Sequence, residues 1–296
     1  MKPSRLLFLC AALLGALTLQ TASAGLLQER REARQLDDAG IRVQRDVAYG
    51  NDERQRFDVY QPKVAPRVPA PVIFMVHGGG WANGDKDNGS VALNKALRWV
   101  PQGVVLVSAN YRMLPDTPPL AQADDVARAL AQAQQLASGW QADPARFVLM
   151  GHSAGAHLVA LIDAAPEIAA QQGARPWIGT VALDSAAFNV ETVMRGPHLK
   201  LYDRAFGDDP ATWRAASPTL RLEQTGAPLL AVCSTRRDDA CPQARGFAAK
   251  GRDLGKRVEV MGVDMSHRQI NQELGQDNGY TADVERFLRS VGLLRL

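Results

Sequence analysis

The stretch Met150-Gly151-His152-Ser153-Ala154-Gly155-Ala156 follows the apolar run Arg146-Phe147-Val148-Leu149-Met150 and precedes the helical pattern His157-Leu158-Val159-Ala160-Leu161-Ile162. The order reads strand, sharp turn, helix, and Ser153 stands at the tip of the turn. A side chain at 151 or 155 would crowd the strained backbone that lifts the serine clear of a sheet, so the two glycines make G-x-S-x-G a nucleophile elbow. Three fixed positions recur by chance. The strand before them and the helix after them carry the reading.

Upstream, Pro71-Val72-Ile73-Phe74-Met75-Val76 is a continuous apolar run, as expected of a strand buried on both faces. It delivers His77-Gly78-Gly79-Gly80-Trp81, whose consecutive glycines expose backbone N–H groups of the kind that stabilise a developing oxyanion. Similar runs occur at 103–109, 177–184, 227–233 and 257–261, with helical spacing at 90–100, 120–136, 243–254 and 281–291. Strands alternating with helices predict an α/β fold with a mostly parallel central sheet flanked by helices. The alternating stretches 41–49 and 56–60, separated by Gly50-Asn51-Asp52, predict an antiparallel hairpin at the sheet edge. Residues 26–40 read as an exposed helix or a loose arm. Residues 186–226, rich in Pro, Gly, His and aromatics, read as a small irregular insertion over the carboxyl ends of the strands, where selectivity would reside.

Composition sets the outer limits. With 296 residues, 46% hydrophobic and 22% charged, the chain suits one large globular domain and excludes disordered and fibrous classes. Lys2 and Arg5 precede an apolar run from Leu6 to Leu19, and Thr21-Ala22-Ser23-Ala24 offers a small-residue cut site before Gly25. The expectation is a signal peptide over 1–24, a single domain over 25–296 and a periplasmic or secreted product. The run is about 14 residues, short of the roughly 20 that span a bilayer, so no membrane span is expected after cleavage. Removing Lys2 and Arg5 from 34 basic residues leaves 32 against 31 acidic ones, and no basic run suggests nucleic acid as a partner. No motif for a metal or an organic cofactor is present. Two cysteines, Cys233 and Cys241, remain in the mature chain, eight residues apart. They read either as a disulfide formed on export or as two separate buried thiols.

A serine hydroxyl needs a base and a group that orients the base. Of the five histidines, His77 belongs to the glycine loop and His152 to the elbow. His157 reads as a packed helix residue and His198 as part of the insertion or the pocket rim. His267, in a loop directly after a late strand, is left as the base. The acid is expected after the strand ending at Cys233. Asp238, four residues before Pro242, is preferred, with Asp239 as its rival. A disulfide between Cys233 and Cys241 would close a short ring around that loop.

Together these residues resemble the α/β-hydrolase fold esterases and lipases with an HGGGW oxyanion loop, close to the hormone-sensitive-lipase-like carboxylesterases and the kynurenine formamidase branch. The resemblance covers residues 57–292. It includes Gly84-Asp85-Lys86, Asn110-Tyr111-Arg112 with Pro115, Asp124-Asp125, and Ser266-His267 with Ile270-Asn271 and Leu274-Gly275. It implies an oxyanion hole built from the N–H groups of Gly79, Gly80 and Ala154, and a serine carboxylesterase acting on short- to medium-chain or aromatic small-molecule esters. The alternatives are an arylformamidase, suggested by Ser-Ala-Gly-Ala-His, and a catalytically silent binding protein. The acid loop, Arg236-Arg237-Asp238-Asp239, departs from the Gly-x-x-Asp pattern of these families.

Overall fold

In a computed structural model, residues 25, 27–223 and 226–295 are described. The expected leader, 1–24, lies outside the described residues. Eight strands form one sheet: β1 (Ile41–Ala48), β2 (Arg56–Pro62), β3 (Ala70–Val76), β4 (Val105–Ala109), β5 (Ala142–His152), β6 (Gly179–Leu183), β7 (Leu229–Ser234) and β8 (Val258–Val263). Their order is β1-β2-β4-β3-β5-β6-β7-β8. The β1–β2 and β2–β4 pairs are antiparallel and the remainder parallel, so the hairpin sits at one edge as its alternation requires.

The inner strands β3, β4, β6 and β7 are buried almost throughout because helices cover both faces. Along β3, Val72, Phe74 and Val76 point into a layer shared with the helices Pro119–Leu136 and Ala154–Ala164. Ile73 and Met75 point into the opposite layer, against Gly89–Trp99 and Gly279–Ser290. All five are fully buried. Removing each such side chain from water contributes about 1.5–3 kcal/mol, and the two-residue period lets one strand serve both layers. A third apolar layer sets Phe247 of the helix Ala240–Asp253 against Leu229, Ala231 and Cys233 of β7.

A helix runs over 27–38 and buries Leu36, so the charged arm is anchored rather than loose. The segment 186–226 is less irregular than its composition suggests. It folds as the short helices Val190–Arg195, Lys200–Phe206, Pro210–Ala215 and Pro218–Arg221. The turn-forming residues serve as helix starts here: the Asn189 side chain accepts from the N–H of Thr192, Asp209 accepts from those of Ala211 and Thr212, and Pro210 and Pro218 open their helices. Helices of four to seven residues are too short to show a period.

Buried polar ties hold the loops at the carboxyl end of the sheet. Asp125 accepts from Gln55 Nε2 at 2.9 Å and from the backbone N–H, Nε and Nη2 of Arg112 at 3.1, 2.8 and 2.7 Å. Asn110 Oδ1 accepts from the N–H of Lys86, and its Nδ2 donates to Asp85. Cys233 and Cys241 are joined by a disulfide that ties the end of β7 to the start of the helix Ala240–Asp253.

Asp125→Ala leaves buried Gln55 and the partly exposed Arg112 without their acceptor and is expected to cost about 1–3 kcal/mol of stability in urea unfolding; an unchanged unfolding midpoint would contradict this role. Opening the disulfide is expected to cost about 2–3 kcal/mol through the short ring it closes, seen as a lower melting temperature under reductant. An unchanged melting curve would mean that the bond does not support the fold.

Candidate active site

The elbow is built by steric exclusion. Ser153 has φ 56° and ψ −117°, a conformation a non-glycine residue adopts only under constraint, and its N–H is held by the carbonyl of Leu183 at 2.9 Å. A Cβ on Gly155 would stand 2.3 Å from the Val76 carbonyl oxygen and 2.4 Å from that of His77. The helix after the serine thus presses on the end of β3, and only glycine permits it. Ser153 opens onto a cavity of about 1000 Å³ that His77, Gly79, Trp81, Asp184, Tyr202 and His267 also line.

The glycine loop folds back beside the elbow. Gly79 has φ 118°, its carbonyl accepts from the N–H groups of Ala82 and Asn83, and a Cβ there would sit 1.9 Å from the Asn83 carbonyl oxygen. The N–H groups of Gly79 and Gly80 have no acceptor among the described residues, and that of Ala154 belongs to the first turn of a helix, where backbone donors are left open. Trp81 anchors the loop. Its indole N–H donates to His157 Nδ1 at 3.2 Å, and its ring packs edge-on against Phe206 and tilted on Tyr202, both in the insertion. His157 in turn donates from Nε2 to the carbonyl of Ala216. Burial lowers its pKa to about 4, so it stays neutral and able to accept from the indole. Tyr111 stacks on His77 and donates to its carbonyl.

His267 opens the helix His267–Gln272, where Ser266 and Gln269 form a capping box. Two further bonds set the height of its loop: His152 Nε2 donates to the His267 carbonyl at 2.9 Å, and the Ser234 hydroxyl donates to that of Met265 at 2.6 Å. His152, lowered by burial to about 3, is a neutral strut between elbow and loop.

The acid is where the structure departs from expectation. Asp238 and Asp239 are both exposed in the turn after β7, and the carboxylate on His267 is that of Asp184, one residue beyond the end of β6. His267 Nδ1 donates to Asp184 Oδ2 at 2.6 Å. Asp184 is fully buried, has φ 57° and also accepts from the N–H of Ser234 at 2.7 Å. Burial alone would raise its pKa, but the bonds from His267 and Ser234 and the charge of Arg237 outweigh it and hold the carboxyl below the usual range. The physical reason lies in Arg237. Its guanidinium turns inward, with Nη1 2.9 Å from Asp184 Oδ2, while Nε and Nη2 grip Asp239 at 2.9 and 3.0 Å. The inner place in the turn is taken by a cation, and the carboxylate facing the imidazole comes from the neighbouring strand. The signal in the sequence was a lone aspartate closing a buried apolar strand.

Ser153, His267 and Asp184 therefore share one cavity, with the open N–H groups of Gly79, Gly80 and Ala154 around it. A base oriented by a buried carboxylate beside a strained serine can support nucleophilic acyl transfer. Among the described residues, no group of three or more His, Cys, Asp or Glu is placed to hold a metal ion.

The BD-FAE family model matches residues 57–175. Esterase LipQ of Mycobacterium tuberculosis is 31% identical over 226 residues, covering 71% of this chain and 53% of LipQ. Esterase LipC of the same organism is 28% identical, covering 72% and 56%. The chain thus spans a little over half the length of these curated relatives. Among solved structures, esterase B from Lactobacillus rhamnosis superposes with a TM-score of 0.68 at 17% identity, covering 94% of each chain. The parallel sheet, the elbow at Ser153 and the glycine loop, together with these likenesses, make the chain a protein of the α/β-hydrolase fold, similar to its esterase and lipase group.

Proposed function

We propose that the chain is a serine carboxylesterase in which Ser153 is the nucleophile, His267 the general base and Asp184 the acid that orients it. The observation that carries this reading is the 2.6 Å bond from His267 Nδ1 to buried Asp184, which leaves Nε2 as the proton acceptor on the cavity side of the ring. His267 takes the Ser153 proton as Oγ attacks the ester carbonyl carbon. The carbonyl oxygen becomes an oxyanion facing the N–H groups of Gly79, Gly80 and Ala154. The imidazolium then gives its proton to the departing alkoxide, leaving an acyl-serine. Water, deprotonated by His267, attacks that acyl carbon, and the proton returned to Ser153 Oγ completes the cycle.

LipQ and LipC are named esterases, which favours esters over the formamidase alternative. The cavity, with Leu199, Leu201, Tyr202 and Ala186 on its insertion side, supports a small-molecule ester with a short to medium acyl chain or an aromatic group. Export through residues 1–24 belongs to the same proposal, and the disulfide supports it, since such bonds persist in oxidising compartments.

Ser153→Ala is expected to lower turnover of p-nitrophenyl acetate and of a longer-chain p-nitrophenyl ester by several powers of ten and to abolish labelling by a fluorophosphonate. Near wild-type rates in the variant would remove the mechanism, and faster turnover of N-formylkynurenine than of either ester would move the chain to amide chemistry. Asp184→Asn should lower kcat by about 10³- to 10⁴-fold, whereas Asp238→Asn should stay within about twofold of wild type. The reverse ranking would return the acid to the turn after β7.

A further inference from the structure

Arg237 touches both Asp184 and His267, yet acyl transfer by Ser153 contains no step for it. Its Nη1 lies 2.9 Å from Asp184 Oδ2 and 2.9 Å from His267 Nδ1. Since Nδ1 already donates its proton to Asp184, its contact with Nη1 is no hydrogen bond. It places a fixed cation against the ring that must become an imidazolium.

We propose that Arg237 is a positioning residue that locks the Asp184 carboxylate against His267 and sets the pH at which the imidazole becomes available as a base. This rests on the reading of Asp184 as the acid of the site. Two further observations shape it. The guanidinium is held on its outer side by both oxygens of Asp239, so its position does not depend on the histidine. It also stands in the turn that the disulfide closes, between Cys233 and Cys241, which limits its retreat. A cation beside an imidazole disfavours the protonated form, while a carboxylate beside it favours that form. Asp184 and Arg237 therefore pull in opposite directions, and Asp239 weakens Arg237 by partial neutralisation. The imidazole thus stands between a buried carboxylate and a cation, each within hydrogen-bond distance of the same Nδ1 edge.

The other charged and titratable groups around His267 are identifiable. His152 packs on its ring at 4.5 Å between centroids and is neutral. Buried Lys95, on the helix Gly89–Trp99, donates to the Asn271 carbonyl of the His267 helix. Arg268 follows on that helix, Tyr280 donates to the Ile270 carbonyl of the same helix, Tyr202 faces Arg237 from the insertion, and Asp238 is exposed in the turn. None of these bonds to His267 Nδ1 or to Asp184 Oδ2, so replacing Arg237 or Asp239 isolates the pair.

The test is the pH dependence of kcat/KM for p-nitrophenyl acetate from about pH 5 to 9, whose acid limb reports the free enzyme's base. Arg237→Gln should move that limb about one unit to higher pH, and Arg237→Lys, which keeps the charge, should return it toward wild type. Asp239→Asn, which leaves Arg237 un-neutralised, should move it the other way by roughly half a unit. KM should change little in all three. Wild-type limbs in Arg237→Gln and Asp239→Asn, with Asp184→Asn still crippled, would overturn the role of Arg237 and leave the triad standing. Activity retained in Asp184→Asn would overturn the triad itself. Should Arg237→Gln fail to fold, Asp239→Asn decides, because its side chain is exposed; an unmoved limb there refutes the proposal. The His267 imidazole pKa measured by NMR in the Ser153→Ala background gives the same shifts without turnover.

Discussion

The close approach of Gly155 to the carbonyls of Val76 and His77 is the constraint from which the rest of the site follows. It lets the helix after Ser153 dock on the end of β3, so that Ser153 and the glycine loop share one corner of the sheet. Once that contact is made, the backbone at Ser153 has few alternatives, and its unusual conformation is enforced by packing on both sides. The parallel pairing of β3 with β5 brings the two chain segments together, and a register slip would separate them.

The aromatic ties around Trp81 extend this constraint into the insertion. A tryptophan held by a neutral buried histidine on one helix, and by Phe206 and Tyr202 on another, couples the glycine loop to the wall of the cavity. His152 and Ser234 do the same for the histidine loop, each through one hydrogen bond to a backbone carbonyl. Each of these polar side chains makes a hydrogen bond inside the packed site, and such bonds rigidify a structure.

The carboxylate of the site lies one strand from where chain order placed it. Sequence order puts an acid between Ser153 and His267, and both Asp184 and Asp238 meet that requirement. The structure separates them: Asp184 is buried and held by the N–H of Ser234 and by Arg237, whereas Asp238 is exposed in the turn after β7. The unusual Arg236-Arg237 pair before the two aspartates was visible in the sequence, but its consequence was not.

Local chemistry was legible from the residues themselves. Glycines at 151 and 155 around Ser153, the glycine run after an apolar strand, the two-sided apolar strands and the edge hairpin all follow from short-range sterics and from periods of 2 or 3.6 residues. The short helices of 190–221 were hidden because they are too brief to show a period and their caps read equally well as turns. The pairing of Asp184 with His267, 83 residues apart, was decided by the tertiary structure alone. A hydrogen bond between distant residues leaves no trace in local sequence, since it depends on which of two candidate side chains the packed sheet turns toward the ring.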